Sequence, residues 1–200
     1  FLVDRGTPGF SSQDIHGKLG LRSSNTAQLF LADCRVPASQ MLGKVGEGFK
    51  VAMTALEGGR YSVAAGCVGI CQACLDASLK YASERTAFGK TINHFQMVQD
   101  MIAKMMVDVD AARLLTRRAG YLKDKGVRNI RETSMAKLYA SEAAVRCSLD
   151  AIQIHGGYGY SNEYPVERYL RDAKVATIYE GTSQIQKLIL AGLATGVKAF

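Results

Sequence analysis

Glu180 lies in the run Ile178-Tyr179-Glu180-Gly181-Thr182-Ser183-Gln184, directly ahead of a helix-start pattern. Apolar Val175, Ala176 and Ile178 precede it. A carboxylate desolvated in this way has a raised pKa and suits the work of a general base. Free backbone N–H groups of the coming helix would bind an oxyanion developing nearby. The same residues also read as a solvated loop glutamate favoured by the helix dipole, and the pattern alone leaves both readings open. Arg85, in Glu84-Arg85-Thr86-Ala87-Phe88-Gly89-Lys90, ends a long helical pattern. A guanidinium fixed beside Phe88 would hold a pyrophosphate and stack a ring. An exposed helix-end arginine complementing the dipole is the alternative.

Other chemistry-bearing residues read as structure. Cys67, Cys71 and Cys74 have the i, i+4, i+7 spacing that places three thiols on one helix face. Their neighbours Val68, Ile70, Ala73 and Leu75 make a buried apolar stripe, with no glycine-rich loop to wrap an iron–sulfur cluster. His16, His94 and His155 are far apart and lack metal-ligand spacing, so no metal site is expected. Gly156-Gly157-Tyr158-Gly159 departs from a dinucleotide-binding fingerprint and reads as a helix terminator. Five cysteines in a chain without secretory features point to reduced, intracellular thiols.

The elements that must position these residues are mostly helices. The 200 residues carry 48% apolar and 22% charged side chains, enough for a core and unlike a disordered tail. A net charge of +7 is dispersed among acids without a basic run, so no nucleic-acid partner is expected. No uninterrupted apolar run approaches the length of a bilayer crossing, so no membrane span is expected. Proline is absent from Ala38 to Tyr164, which suits long helices. Helical patterns run from about Phe49 to Ser83, from a cap at Asn93 to Gly126, from about Asn129 to Ile154, and briefly from Val166 to Ala173. The last begins near Ser183, whose side chain with Gln186 makes a capping-box pattern. Ala136, Ala140, Ala143 and Ala144 allow close helix approach in the third. Ahead of them, Phe1-Leu2-Val3 and Leu29-Phe30-Leu31 are short strand candidates between turn residues. So small a β segment needs partners elsewhere, and with the abrupt start at Phe1 it points to a piece of a larger protein. The expected fold is mostly α, an antiparallel four-helix bundle at 46–200, preceded at 1–45 by a partial β-domain segment.

In series, several motifs resemble the C-terminal half of the acyl-CoA dehydrogenases. They are Glu57-Gly58-Gly59-Arg60, the Glu84–Lys90 run, Gln153-Ile154-His155-Gly156-Gly157, Tyr164-Pro165-Val166-Glu167, Leu170-Arg171-Asp172-Ala173 and the Ile178–Gln184 run. The opening stretch, with Gly20-Leu21-Arg22-Ser23-Ser24 and Val36-Pro37, is similar to the end of that family's middle β-domain.

The resemblance implies an FAD enzyme that oxidises an acyl-CoA to the trans-2-enoyl-CoA and passes electrons to an electron-transfer flavoprotein. By position Glu180 would be the base, and its N–H a donor to the enolate oxygen. Some relatives carry the base at the position that is Gly59 here, where glycine has no carboxylate to offer. Arg85, Thr86 and Phe88 would meet FAD from a neighbouring subunit; Phe95, Gln96 and Gln153, Ile154, His155, Gly156 and Gly157 would add further contacts. Thr182, Ser183 and Gln184 would meet FAD beside the base. Glu57 and Arg60 would lie near CoA and Gly181 against the substrate, although the family often has Asp where Glu57 stands. A homo-oligomer, dimer or tetramer, follows from a shared FAD site, and the compartment would be the bacterial cytoplasm or the mitochondrial matrix. The small Gly58-Gly59 pair leans towards short or branched acyl chains. Without the family's N-terminal half, this chain alone is expected neither to hold FAD nor to turn over acyl-CoA. The alternatives are a non-catalytic helical oligomerisation module and an acyl-CoA oxidase-like flavin enzyme.

Overall fold

The computed structural model describes residues 1–197 and divides into two compact units, Phe1–Ala55 and Leu56 onwards. In the first, strands β1 (Phe10–Asp14) and β2 (Ala27–Leu31) pair antiparallel, with Phe10 opposite Leu31 and Asp14 opposite Ala27. Leu29-Phe30-Leu31 is a strand as expected, but Phe1-Leu2-Val3 is not. The Leu2 N–H donates instead to the Gln40 carbonyl at 2.8 Å, tying the start of the chain to a 3-10 turn at Ala38–Gln40. Leu29, Phe30 and Leu31 are exposed, because two strands alone give an apolar face nothing to pack on.

Helix α1 spans Gly48–Glu84, and the second unit continues with α2 (Gln96–Asp124), α3 (Ile130–His155), α4 (Val166–Val175) and α5 (Ser183–Thr195). A two-residue hairpin joins α1 to α2 through strands β3 (Thr86–Ala87) and β4 (Lys90–Thr91). Phe88 and Gly89 at its tip have φ of 52° and 80°, the paired left-handed geometry that such tight turns use. Helix α3 is the hub and packs against α2, α4 and α5. The expected alanine stripe explains how: Ala136, Ala140, Ala143, Ala144 and Ala151 are all fully buried, and side chains this small let backbones approach. Asp108 of α2 receives Tyr139 Oη at 2.8 Å and a forked pair of bonds from Arg146 at 2.8 and 3.1 Å, which fixes the register of α2 on α3.

The thiol stripe is core, as its spacing implied: Cys67, Cys71 and Cys74 are buried, with Cys147 of α3 beside them. All five cysteines are free. Burial pushes the Cys67 thiol up to about 11 and the Cys74 thiol up to about 12.

Two caps differ from expectation. Asn93 does not cap α2: its Oδ1 accepts from Thr91 Oγ1 at 2.7 Å inside a 3-10 turn, and the helix starts three residues later with Phe95 at the cap. Helix α5 is capped by Thr182, whose hydroxyl accepts from the Ile185 N–H at 3.2 Å. Ser183 is already helical, and its hydroxyl is buried without a hydrogen-bond partner.

Among the described residues, α1 is the one helix long and apolar enough by length and composition to cross a membrane. Core helices pass the same test. The buried face of α1, from Arg60 and Ala64 to Tyr81 and Ala82, holds both the thiol stripe and an arginine.

Candidate active site

Six residues, Ala176 to Gly181, separate α4 from the cap of α5 and form a sharp turn that ends in Glu180 and Gly181. Both are left-handed, with φ of 55° and 85°. For glutamate that conformation costs about 1–2 kcal/mol, so the surroundings must hold it. Three hydrogen bonds do so. Gln186 of α5 donates its Nε2 to the carbonyls of Glu180 and Gly181, each at 3.2 Å. Lys137 of α3 donates its Nζ to the Gly181 carbonyl at 2.6 Å. Each contributes about 1 kcal/mol, more for the ammonium, which is enough to offset the strain. The Ser183 N–H closes the loop onto the Thr177 carbonyl at 3.0 Å.

The turn presses the Glu180 carboxylate onto helix α1 at Gly59. A first side-chain carbon on Gly59 would stand 2.7 Å from Oε1, 2.6 Å from Cδ and closer still to Oε2. The cover over this carboxylate therefore includes α1. Ile178, expected to desolvate it, is itself 54% exposed. Oε2 is buried and accepts no hydrogen bond. The next residue of α1, Arg60, is buried with its Nε unpartnered, while Glu57 is exposed. The Glu180 carboxylate therefore keeps an acceptor position open.

A second group gathers where α1 and α3 end. His155 is buried, stacks on Tyr81 at 4.2 Å between ring centres and meets Tyr164 edge-on at 5.2 Å. Its Nδ1 bonds the Ala151 carbonyl at 2.7 Å, and burial holds its pKa below the usual histidine range. Gly156 follows at φ 59° and ends the helix. Beside it opens a cavity of about 540 Å³ lined by Arg85, Ile154, His155, Gly156, Gly157 and Tyr158, among others. Arg85 lies over Tyr158, 5.6 Å from the ring centre, rather than beside Phe88 as the sequence suggested. Phe88 instead meets Phe95 edge-on at 6.2 Å, because the hairpin tip turns it outward. Thr86, Gln96 and Gln153 are exposed and line no part of this cavity.

Ser183 and Gln184 line a different cavity of about 320 Å³, with Glu142, Arg146, Lys174 and Thr177. The two cavities share no residue.

The model of the acyl-CoA dehydrogenase C-terminal domain matches residues 46–193. The chain belongs to the acyl-CoA dehydrogenase family. It is 50% identical over 190 residues to acryloyl-CoA reductase (NADH) of Anaerotignum propionicum, covering 95% of this chain and 48% of that protein. It is equally, 50%, identical over 192 residues to the mitochondrial short-chain specific acyl-CoA dehydrogenase of Mus musculus, covering 96% and 47%. The solved butyryl-CoA dehydrogenase of Megasphaera elsdenii superposes with a TM-score of 0.93 at 42% identity, covering 96% of this chain and 50% of that one. The chain thus spans about half the length of the acyl-CoA dehydrogenases and relatives it matches.

Within this family domain, sequence reading overlooked Lys137. A signal was present: Lys137, Ala140, Ala144 and Ala151 fall on one helical face, so the lysine sits in a stripe that excludes water. A cation there needs an acceptor, and in the fold the acceptor is a carbonyl 44 residues away.

Proposed function

We propose that the complete protein is an FAD-dependent acyl-CoA dehydrogenase in which Glu180 is the base. The observation that carries this reading is the Glu180 carboxylate, held on Gly59 by a strained turn with a buried oxygen that accepts no hydrogen bond. Glu180 takes the α-proton of the thioester as the Cα–Cβ double bond forms. Its N–H and the start of α5 favour the negative charge that develops on the thioester oxygen. Buried Arg60 faces this region from α1 and suits an anionic group of CoA; Glu57 and Gly181 complete the proposed substrate contacts.

The residues present fit FAD. An exposed guanidinium beside side-chain-free backbone is suited to a pyrophosphate, and nothing lies within 4 Å of where side chains on Gly156 and Gly157 would begin. When bound, FAD accepts the β-hydrogen as a hydride. Arg85, Thr86, Phe88, Phe95, Gln96 and Gln153–Gly157 would hold one part of it, and Thr182, Ser183 and Gln184 the part beside the base. Arg85, Ile154, His155, Gly156 and Gly157 line one cavity and Ser183 and Gln184 another, which favours a homo-oligomer in which one copy completes the site of another. An electron-transfer flavoprotein is the proposed electron acceptor, a short acyl chain the proposed substrate, and the cytoplasm or mitochondrial matrix the proposed compartment.

A second reading runs the same chemistry backwards. It is favoured by the 50% identity to a protein named acryloyl-CoA reductase. Glu180 would then return the α-proton instead of removing it.

The test is Glu180→Gln in the complete protein, with bound flavin measured by absorbance and turnover assayed in both directions. Flavin retained with turnover reduced at least about 1,000-fold is expected for loss of a general base held in place. Undiminished turnover would remove Glu180 from this role.

A further inference from the structure

We propose that Lys137, acting with Gln186, is a positioning residue for Glu180: it clamps the left-handed Glu180–Gly181 turn and so fixes where the carboxylate stands. The inference rests on Glu180 being the base. Both clamping side chains are fully buried, and both converge on the same carbonyl, that of Gly181, from different helices. Gln186 also takes the Glu180 carbonyl. Both carbonyls of the strained pair are therefore held by side chains, and the carboxylate that the turn carries stands against Gly59.

Lys137 is more than a structural strut. A buried ammonium is far harder to desolvate than a neutral donor, and a neutral amide already holds the same carbonyl. The charge has a use only if it acts on charged groups. Those facing Lys137 are Arg60 and Cys67 on α1, Glu142 on its own helix and Glu180 on the turn. Arg60 brings a second cation to the same place. The hydrogen bond sets the position of the turn.

The clamp is tested in the complete, flavin-loaded protein with Lys137→Met, Lys137→Gln and Gln186→Leu. Turnover is measured on butyryl-CoA and longer thioesters with an artificial electron acceptor. Lys137→Met is expected to lower kcat about 10- to 100-fold with KM changed less than about threefold, as for lost alignment. Lys137→Gln, which keeps a hydrogen-bond donor, recovers part of kcat. In a Glu180→Gln background, Lys137→Met adds less than about a twofold further loss, because both changes act through one group. Amide hydrogen exchange of residues 178–183 is followed in parallel and accelerates at least about tenfold in Lys137→Met, with α2 unchanged. Where Lys137→Met does not fold, Gln186→Leu carries the same expectations for kcat and exchange. Unchanged kcat with unchanged exchange overturns the clamp, as does a loss fully additive with that of Glu180→Gln. Should Glu180→Gln keep its turnover, the base assignment has failed, and the exchange measurement still decides whether Lys137 holds the turn.

Discussion

Gly59 separates stability from activity at a single atom. In a helix interior, alanine is favoured over glycine by about 1 kcal/mol, so Gly59→Ala should not lower the melting temperature. The new methyl would nevertheless occupy the space of the Glu180 carboxyl group. Its neighbours there are the far end of a side chain, which moves more cheaply than backbone. We therefore expect Gly59→Ala to keep or raise Tm while reducing kcat at least about tenfold, since displacing a catalytic group by about 1 Å has effects of that order. A parallel fall in Tm and kcat would mean that the methyl disturbs the fold instead. The sequence identified Glu180 and Gly59 separately, through a helix-start pattern and a resemblance. Their contact joins residues 121 positions apart, which local periodicity does not encode.

At the scale of elements, the last turn of α3 carries a pH dependence. His155 is buried against Tyr81 and Tyr164, and burial depresses its pKa. The folded state thus binds this proton less readily than the unfolded chain. Stability from the neutral ring is fully present above the unfolded value, near 6.5, and is lost as pH falls through the lower folded value. Thermal melts from pH 7.5 downward should show Tm dropping through this window, and His155→Phe, which keeps the ring stack, should flatten the drop. An equally steep drop in His155→Phe would assign the effect to other groups. Helix bounds were legible to within about two residues from apolar spacing and glycine stops. The caps were not. Whether Ser183 or Thr182 caps α5 depends on a backbone one residue out of register, held in that register by Lys137 and Gln186.

At the scale of the whole molecule, β2 leaves apolar residues exposed and the two cavities share no residue, as the proposed oligomer of the complete protein requires. The 200 residues expressed alone are expected to purify colourless and to show no acyl-CoA turnover. Co-expression with the region corresponding to the rest of the relatives should restore flavin absorbance. A yellow, active 200-residue protein would show that this half carries a complete site.

By itself the sequence determined the helical class, the thiol and alanine core stripes, and the residues on which the family resemblance rests. All of these are written in residue types at short spacing, where helix geometry converts position into direction. Only the tertiary structure decided that Glu180 rests on Gly59, that Arg85 pairs with Tyr158 rather than Phe88, and that a buried lysine on α3 holds the turn. Those outcomes depend on which helix faces which, and that follows from the packing of the whole bundle.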